Sequence, residues 1–175
     1  MEMNPTPTTP ASTGSSEAGS LHMVCGKIAS GKSTLAQHLA SSPRTVLVSE
    51  DAWLARLYPG ELRTIADYVR LSGRLRSAME EHVAALLAAG TSVVLDFPSN
   101  TPSTRAWARS VFEEAGAPHC LHFIDVSDEQ CKARLRIRNQ SGEHPFQTTD
   151  AQFDEITRHF AAPSPEEGFH LVIHA

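Results

Sequence analysis

Short apolar runs alternate with longer amphipathic stretches along most of the chain. Five runs of five to eight residues, rich in Val, Leu and Ile, predict β-strands at 21–25, 45–49, 91–97, 119–126 and 169–174. Between them, helices are predicted at 32–42, 51–58, 62–89, 102–115, 128–139 and 151–160. Because the strands are continuous apolar runs, we expect helices on both faces of a parallel sheet, which is a three-layer α/β fold.

The length and composition predict one folded domain with a tail. The chain has 175 residues, of which 41% are hydrophobic and 20% charged, enough for a buried core. Residues 1–20, "MEMNPTPTTPASTGSSEAGS", have no Lys or Arg and no apolar segment, so we expect a disordered tail and not a secretory signal. The domain is then predicted over 21–175. No apolar run reaches the roughly 18 residues of a membrane span.

The net charge and the cysteines indicate which partners, compartments and metal sites are compatible with the sequence. The net charge of −5 and the sequence pI near 6.0 argue against an extended nucleic-acid surface, although a local basic site remains compatible with them. Cys25, Cys120 and Cys131 share no metal-ligand spacing, so we expect buried thiols in a reducing cytoplasm. His119 and His122 are three apart on one predicted strand and therefore face opposite ways, which argues against a shared metal.

The strongest motif is "GKIASGKS", residues 26–33, which fits G-x-x-x-x-G-K-[ST]. It lies between a predicted strand and a predicted helix, so that backbone N–H groups and the helix N-terminus converge on an anion. In this motif the lysine reaches the terminal phosphates of a nucleotide and the following hydroxyl ligates Mg²⁺. The predicted nucleotide-binding residues are Gly26, Lys27, Ile28, Ala29, Ser30, Gly31, Lys32, Ser33 and Thr34.

Two aspartates lie at the carboxyl ends of predicted strands and are candidates for chemistry. Asp96 ends the third strand and is predicted to hold Mg²⁺ together with Ser33, the alternative being a solvated strand end. Asp51 follows the second strand and is predicted to accept the proton of a hydroxyl that attacks the γ-phosphate. Alternatively, Asp51 only stabilises the N-terminus of the following helix, which Ser49 could equally cap.

Basic residues on the helix predicted at 128–139 suggest a lid over 131–150. Arg134 and Arg138 are four apart on one helix face and are predicted to neutralise charge on a transferring phosphoryl group. The alternative is a solvated helix whose charges pair with Asp128 and Glu129. GTPase base-reading motifs of the N-K-x-D kind and the transporter motif L-S-G-G-Q are absent, so a kinase is favoured among P-loop proteins.

Together these motifs resemble the P-loop kinases grouped with phage polynucleotide 5′-kinase, zeta-toxin kinases and chloramphenicol phosphotransferase. These are AAA-type ATP-binding domains of the P-loop NTPase superfamily, and the resemblance covers residues 21 to about 142. It rests on the loop at 26–33, on Asp51 as the base, and on two collinear segments. These segments supply Asp96, Asn100, Arg105 and Trp107, and then Asp125, Val126, Arg134, Arg138 and Asn139.

The resemblance implies a nucleoside-monophosphate-kinase-like fold with a five-stranded parallel sheet in the order 2-3-1-4-5. It implies ATP and Mg²⁺ as cofactors, with Asp51, Lys32, Arg134 and Arg138 as catalytic residues. The predicted reaction transfers the γ-phosphate of ATP to a hydroxyl of a small molecule or nucleotide. A nucleotide-dependent regulatory module with little or no phosphotransfer is the alternative, and the acceptor stays open among antibiotics, sugar nucleotides, nucleosides and nucleic-acid ends.

Overall fold

The computed structural model describes residues 18–141 and 148–175. Most of the predicted tail at 1–20 and part of the predicted lid at 131–150 therefore lie outside the described residues. The elements run in the order β1 (Leu21–Cys25), α1 (Lys32–Ala40), β2 (Thr45–Ser49), α2 (Glu50–Leu57), α3 (Ile65–Ala88), β3 (Ser92–Pro98), α4 (Pro102–Glu114), β4 (His119–Ile124), α5 (Asp128–Ser141), α6 (Asp150–Thr157), a 3₁₀ turn (Pro165–Glu167) and β5 (Leu171–His174). All the predicted strands and helices are present, with ends shifted by up to three residues.

The five strands form one parallel sheet in the order β2-β3-β1-β4-β5, which confirms the predicted topology. Alternate residues of β1 point to opposite faces. Met23 packs in the main core cluster with residues of α3 and α4, whereas Val24 packs against Ala36 of α1 on the other face. Both faces are therefore covered by helices. Among the described helices, none combines the length and the hydrophobicity that a membrane crossing requires.

Side-chain caps explain why several element ends differ from the apolar pattern. The long helix begins at Ile65 and not at 62, because Thr64 and Asp67 satisfy each other's backbone N–H groups in a capping box. The helix α2 begins one residue earlier than predicted, because the Ser49 hydroxyl accepts a hydrogen bond from the N–H of Ala52. The periodicity of apolar residues does not register these polar contacts.

A buried arginine ties the end of β3 to the turn that precedes β5. Arg105 of α4 is only 1% exposed, and its Nε and Nη2 donate to the Glu167 carboxylate at 2.7 and 2.8 Å. Its Nη1 donates to the carbonyl oxygens of Ala161 and Ser99 at 2.8 and 3.1 Å. Four of the five guanidinium N–H groups therefore have acceptors, and the side chain joins the backbone of two loops at the same sheet edge.

We expect Arg105→Met to lower the free energy of unfolding by roughly 3–5 kcal/mol, because it leaves the Glu167 carboxylate without its partner. Urea unfolding followed by circular dichroism measures the change. Arg74→Met, at an exposed position on α3, is the matched control and should change the stability by less than about 0.5 kcal/mol. Equal effects of the two substitutions would contradict the structural role of Arg105.

Candidate functional site

The turn from β1 into α1 is built by close backbone packing. A Cβ at Gly26 would lie 2.6 Å from the Ser30 hydroxyl and 3.0 Å from the Ile124 carbonyl oxygen, so only glycine fits without a shift. The N–H of Gly26 donates to Asn100 Oδ1 at 2.9 Å, which fastens the turn to the loop after β3. Gly31 has φ 109°, a conformation that favours glycine, and directly precedes α1. The N-terminal N–H groups of α1 thus open onto this sheet edge.

Three side chains in the middle of the turn are directed into the protein. Ile28 and Ala29 pack beside Leu35 against the cluster that includes residues of β4 and α5. Ser30 is 3% exposed, and its hydroxyl has no hydrogen-bond partner within the part of the chain that the structure describes. A buried hydroxyl without a partner is costly unless a ligand or water satisfies it. Both features suit a loop that holds an anion.

The two lysines of the turn make different contacts. The Lys27 ammonium pairs with Asp128 at the start of α5 and lies 3.5 Å from the Val126 carbonyl oxygen. Lys32 Nζ instead donates to the carbonyl oxygens of Gly26 and Lys27, both at 2.7 Å. Lys27 therefore joins the turn to α5, while Lys32 lies along the turn with a third N–H able to reach an anion.

Burial lowers the pKa of Lys32 to about 8, and the nearby carboxylates, Asp96 foremost and Asp51 more weakly, oppose this change. An ammonium that is difficult to solvate gains more from a bound polyanion than an exposed one does. The electrostatics of this lysine therefore favour the binding of a phosphate group.

The two predicted magnesium ligands lie together. The Ser33 hydroxyl at the start of α1 lies near the Asp96 carboxylate. Burial raises the pKa of Asp96, and the interaction with the Ser33 hydroxyl lowers it. A hydroxyl and a carboxylate side by side are oxygen donors of the kind that Mg²⁺ prefers. The site thus has a suitable donor pair for that ion beside the turn.

Asp51 lies at the same edge of the sheet. The register pairs Ser49 of β2 with Asp96 of β3, so Asp51 follows two residues beyond that pair. Because Ser49 supplies the cap of α2, the exposed carboxylate of Asp51 is not needed for that hydrogen bond. Burial lowers the pKa of Arg138, and the charge of Asp51 acts against this change. Asp51, Asp96 and Arg138 therefore converge on one region.

The basic residues of α5 divide into two pairs by helix face. Lys132 Nζ lies 2.6 Å from Asp154 of α6, and Arg136 pairs with Asp150 of the same helix. Lys132 and Arg136 therefore join α5 to α6 through ion pairs. The two side chains are four residues apart, so they lie on the same face of α5.

The other pair lies toward the candidate site, one arginine at the turn and one near Asp51. Arg134 Nη1 donates to the Ser30 carbonyl oxygen at 2.9 Å, and Arg138 is half-buried within electrostatic range of Asp51. Asp128, one of the two acids that the solvated-helix alternative named, pairs with Lys27 of the turn. Residues 142–147 of the predicted lid lie outside the described residues.

One residue at the site was missed from sequence. Glu50 is 1% exposed, with Tyr68 Oη donating to its carboxylate at 2.5 Å and Arg76 Nη1 lying 3.4 Å away. Burial raises its pKa to about 7, and the hydrogen bond from Tyr68 and the charge of Arg76 lower it. The network anchors the first turn of α2 to α3 and so fixes where Asp51 lies. In sequence, two adjacent acids give no signal of which one is buried.

We expect Glu50→Gln to become more stable relative to the natural chain as the pH rises. The folded pKa of about 7 exceeds the ordinary value of 4.5, so the folded state holds a proton that the unfolded state releases earlier. This contribution is complete below the ordinary pKa and is lost as the pH rises through about 7. Between about pH 4 and about pH 8, the free energy of unfolding of the glutamine variant should rise by roughly 2–3 kcal/mol relative to that of the natural chain. Urea unfolding at each pH measures it, and parallel curves would contradict the assignment.

Comparison with known proteins identifies the family of the chain. A family model described as "AAA domain" matches residues 21–163, most of the chain. The chain belongs to this family. No curated protein matches it in sequence. The AAA-domain match and the fold confirm the resemblance to P-loop kinases, and this membership supports nucleotide binding at the turn.

Solved structures share the fold of this AAA domain at low sequence identity. A candidate kinase from Chloroflexus aurantiacus has a TM-score of 0.72 at 21% identity, over 90% of this chain and 85% of that one. Kti12 from Chaetomium thermophilum, in complex with ADP-AlF3, has a TM-score of 0.64 at 18% identity, over 89% and 88% of the two chains. A gluconokinase from Sinorhizobium meliloti has a TM-score of 0.57 at 18% identity, over 91% and 84%. At these identities the likeness establishes the fold alone.

Proposed function

We propose that this AAA-domain protein is a cytoplasmic Mg²⁺–ATP-dependent kinase. It transfers the γ-phosphoryl group to a hydroxyl of a small molecule or nucleotide. The observation that carries the proposal is Asp51, an exposed carboxylate at the edge of the sheet shared by the turn and Asp96. Nucleotide binding alone does not require a carboxylate there, whereas a hydroxyl that attacks phosphorus needs a group to take its proton.

The nucleotide side of the site is assigned to the turn and α1. Backbone N–H groups of the turn and of the first residues of α1 would cradle the phosphates, in a turn where Gly26, whose own N–H is held by Asn100, leaves no room for a side chain. The remaining N–H of Lys32 would reach the β- and γ-phosphates. Ser33 and Asp96 would hold Mg²⁺, which when bound neutralises charge on the phosphate oxygens.

The transfer itself is assigned to Asp51 and the two arginines. As the acceptor oxygen bonds to the γ-phosphorus, the hydroxyl proton passes to the Asp51 carboxylate. The bond from the γ-phosphorus to the bridging oxygen breaks, and ADP carries away the bonding pair. Arg138, with Arg134 on the same face of α5, offsets the negative charge on the transferring group.

The acceptor side is assigned to the surface of α2 and the start of α3. Trp53, two residues after Asp51, is 40% exposed, and Ile65 and Val69 are exposed as well. Apolar and aromatic side chains beside a single polar group are typical of small-molecule sites. The net charge of −5 favours such an acceptor over a long polynucleotide. A cytoplasmic location is supported by three unpaired cysteines.

A regulatory nucleotide-binding module is the competing function, since the fold also occurs in Kti12 in complex with ADP-AlF3. In that function Asp51 and the arginine pair would have no transfer to perform. The two functions are distinguished by one observation: a kinase phosphorylates an acceptor, whereas the regulatory module does not.

We expect Asp51→Asn to lower γ-phosphate transfer by about 10²–10⁴-fold while leaving ATP affinity within about twofold, because the amide cannot take a proton. Transfer from radiolabelled ATP to a panel of hydroxylated acceptors measures the rate, and calorimetry measures ATP binding. Glu114→Gln, an exposed acid at the end of α4, is the control and should retain the natural rate. Transfer that survives in Asp51→Asn would remove Asp51 as the base, and a panel without any phosphorylated acceptor would favour the regulatory module.

We expect ATP affinity to fall as the pH rises above about 8, because the Lys32 pKa of about 8 leaves a growing neutral fraction there. The dissociation constant should rise by up to tenfold per pH unit until the pKa of the bound state is reached. Calorimetry of Mg²⁺–ATP binding from about pH 7 to about pH 9.5 measures this. Lys32→Arg stays charged throughout, so its affinity should be flat. An equally flat profile in the natural chain would show that Lys32 does not bind the phosphates as an ammonium.

A further inference from the structure

Three strands bring a second group of chemically active side chains together, on the face of the sheet that carries α1. The register pairs His22 of β1 with Cys120 of β4, and Val24 of β1 with His122 of β4. Because paired residues in a parallel sheet point to the same side, His22, Cys120 and His122 share one face. His174 of β5 is paired with Ile124 of β4. Ile124 lies two residues after His122 on the same strand, so His174 is on the same face of the sheet.

The donor atoms of this group lie close to one another. His22 Nδ1 and His122 Nε2 are 3.1 Å apart. One ring nitrogen of each histidine and Cys120 Sγ all lie within 4.8 Å of one another. Two nitrogen ligands of a tetrahedral zinc ion, each about 2.05 Å from the metal, are separated by about 3.3 Å. The spacing of the two imidazoles therefore suits one shared metal ion, and Cys120 Sγ is near enough to complete a set of three ligands.

A fourth residue orients one of the ligands. His122 Nδ1 and His174 Nε2 are 3.0 Å apart, so an N–H on Nδ1 can be donated to His174. This tautomer leaves the lone pair of His122 Nε2 directed toward His22. Metal-bound histidines usually hold their second nitrogen in such a hydrogen bond, which fixes the ring and raises its basicity as a ligand.

The environment keeps the imidazoles neutral, which is the form that binds metals. His122 is 6% exposed, and burial lowers its pKa to about 4, with further lowering by His22 and His174. Burial also lowers the pKa of His22. Cys120 is half-buried and unpaired, and burial raises its thiol pKa, so a bound cation would have to displace the thiol proton.

We propose that His22, Cys120 and His122 form a transition-metal site, with His174 as a positioning residue. Two imidazoles and one thiolate favour Zn²⁺ or another d-block cation of similar softness, and not the Mg²⁺ assigned to the oxygen ligands at the turn. Three protein ligands leave one position for water or a further ligand. The site joins β1 to β4, and β1 is the strand that leads into the nucleotide-binding turn.

The competing explanation for the contact is a shared proton. His22 and His122 would then form an ordinary hydrogen bond, with Cys120 a bystander. The two explanations differ in whether sulfur enters the coordination of an added metal ion, which spectroscopy of Co²⁺ reports directly.

The test uses the full chain, without a histidine tag and freed of metal by a chelator, titrated with Co²⁺. We expect one equivalent to produce the near-ultraviolet thiolate-to-Co²⁺ band together with the visible bands of tetrahedral coordination, and Zn²⁺ to displace them. Cys120→Ser should lose the thiolate band, and His22→Gln should weaken binding by at least tenfold. His174→Gln should keep the band and weaken binding by about 10–100-fold, as expected for an outer-shell partner.

His119→Gln is the matched control, because His119 lies on the same strand but stacks on Phe112 on the opposite face. It should bind Co²⁺ as the natural chain does. The titration of the natural chain is decisive by itself. Absence of the thiolate-to-Co²⁺ band at one equivalent of Co²⁺ would overturn the proposal. So would a thiolate band that persists in Cys120→Ser.

Discussion

The close approach of the β1–α1 turn to its two neighbouring strands is the constraint on which the candidate site depends. Gly26 lies against the Ile124 carbonyl of β4, and its N–H is held by Asn100 after β3. Because all five strands are parallel, their carboxyl ends meet at this one edge. The turn, Asp96 and Asp51 are thereby brought together, although they follow or end three different strands of the sheet.

The helix α5 extends this site from the opposite side. Its first residue, Asp128, pairs with Lys27 of the turn, and Arg134 contacts the Ser30 carbonyl. These contacts join α5 to the β1–α1 turn, whereas Lys132 joins α5 to α6 through Asp154. Arg134 is thereby held against the turn, and Arg138 lies one helical turn further along the same face of α5. The turn and α5 are joined by these polar contacts and by the packing of Ile28 and Ala29 against the apolar cluster that includes residues of α5.

Local patterns predict the elements and the turn, because strand and helix periodicity and the glycine–lysine motif each act over a few neighbouring residues. Sheet order came from the family resemblance, since pairing between distant strands leaves no local trace. Tertiary packing decides the rest. Glu50 and Asp51 are adjacent acids, but only the first is buried. Likewise His22, Cys120 and His122 have no motif spacing, because three residues of two strands meet only through the register.

Whether the γ-phosphoryl group goes to an acceptor hydroxyl or to water decides between a kinase and a regulatory module. Turnover of Mg²⁺–ATP in water enriched in the heavy oxygen isotope, with a mixture of hydroxylated metabolites, measures this partition by mass spectrometry. A kinase with Asp51 as the base should yield a phosphorylated metabolite that contains no heavy oxygen. Free phosphate that carries one heavy oxygen, with no metabolite phosphorylated, would contradict the assignment.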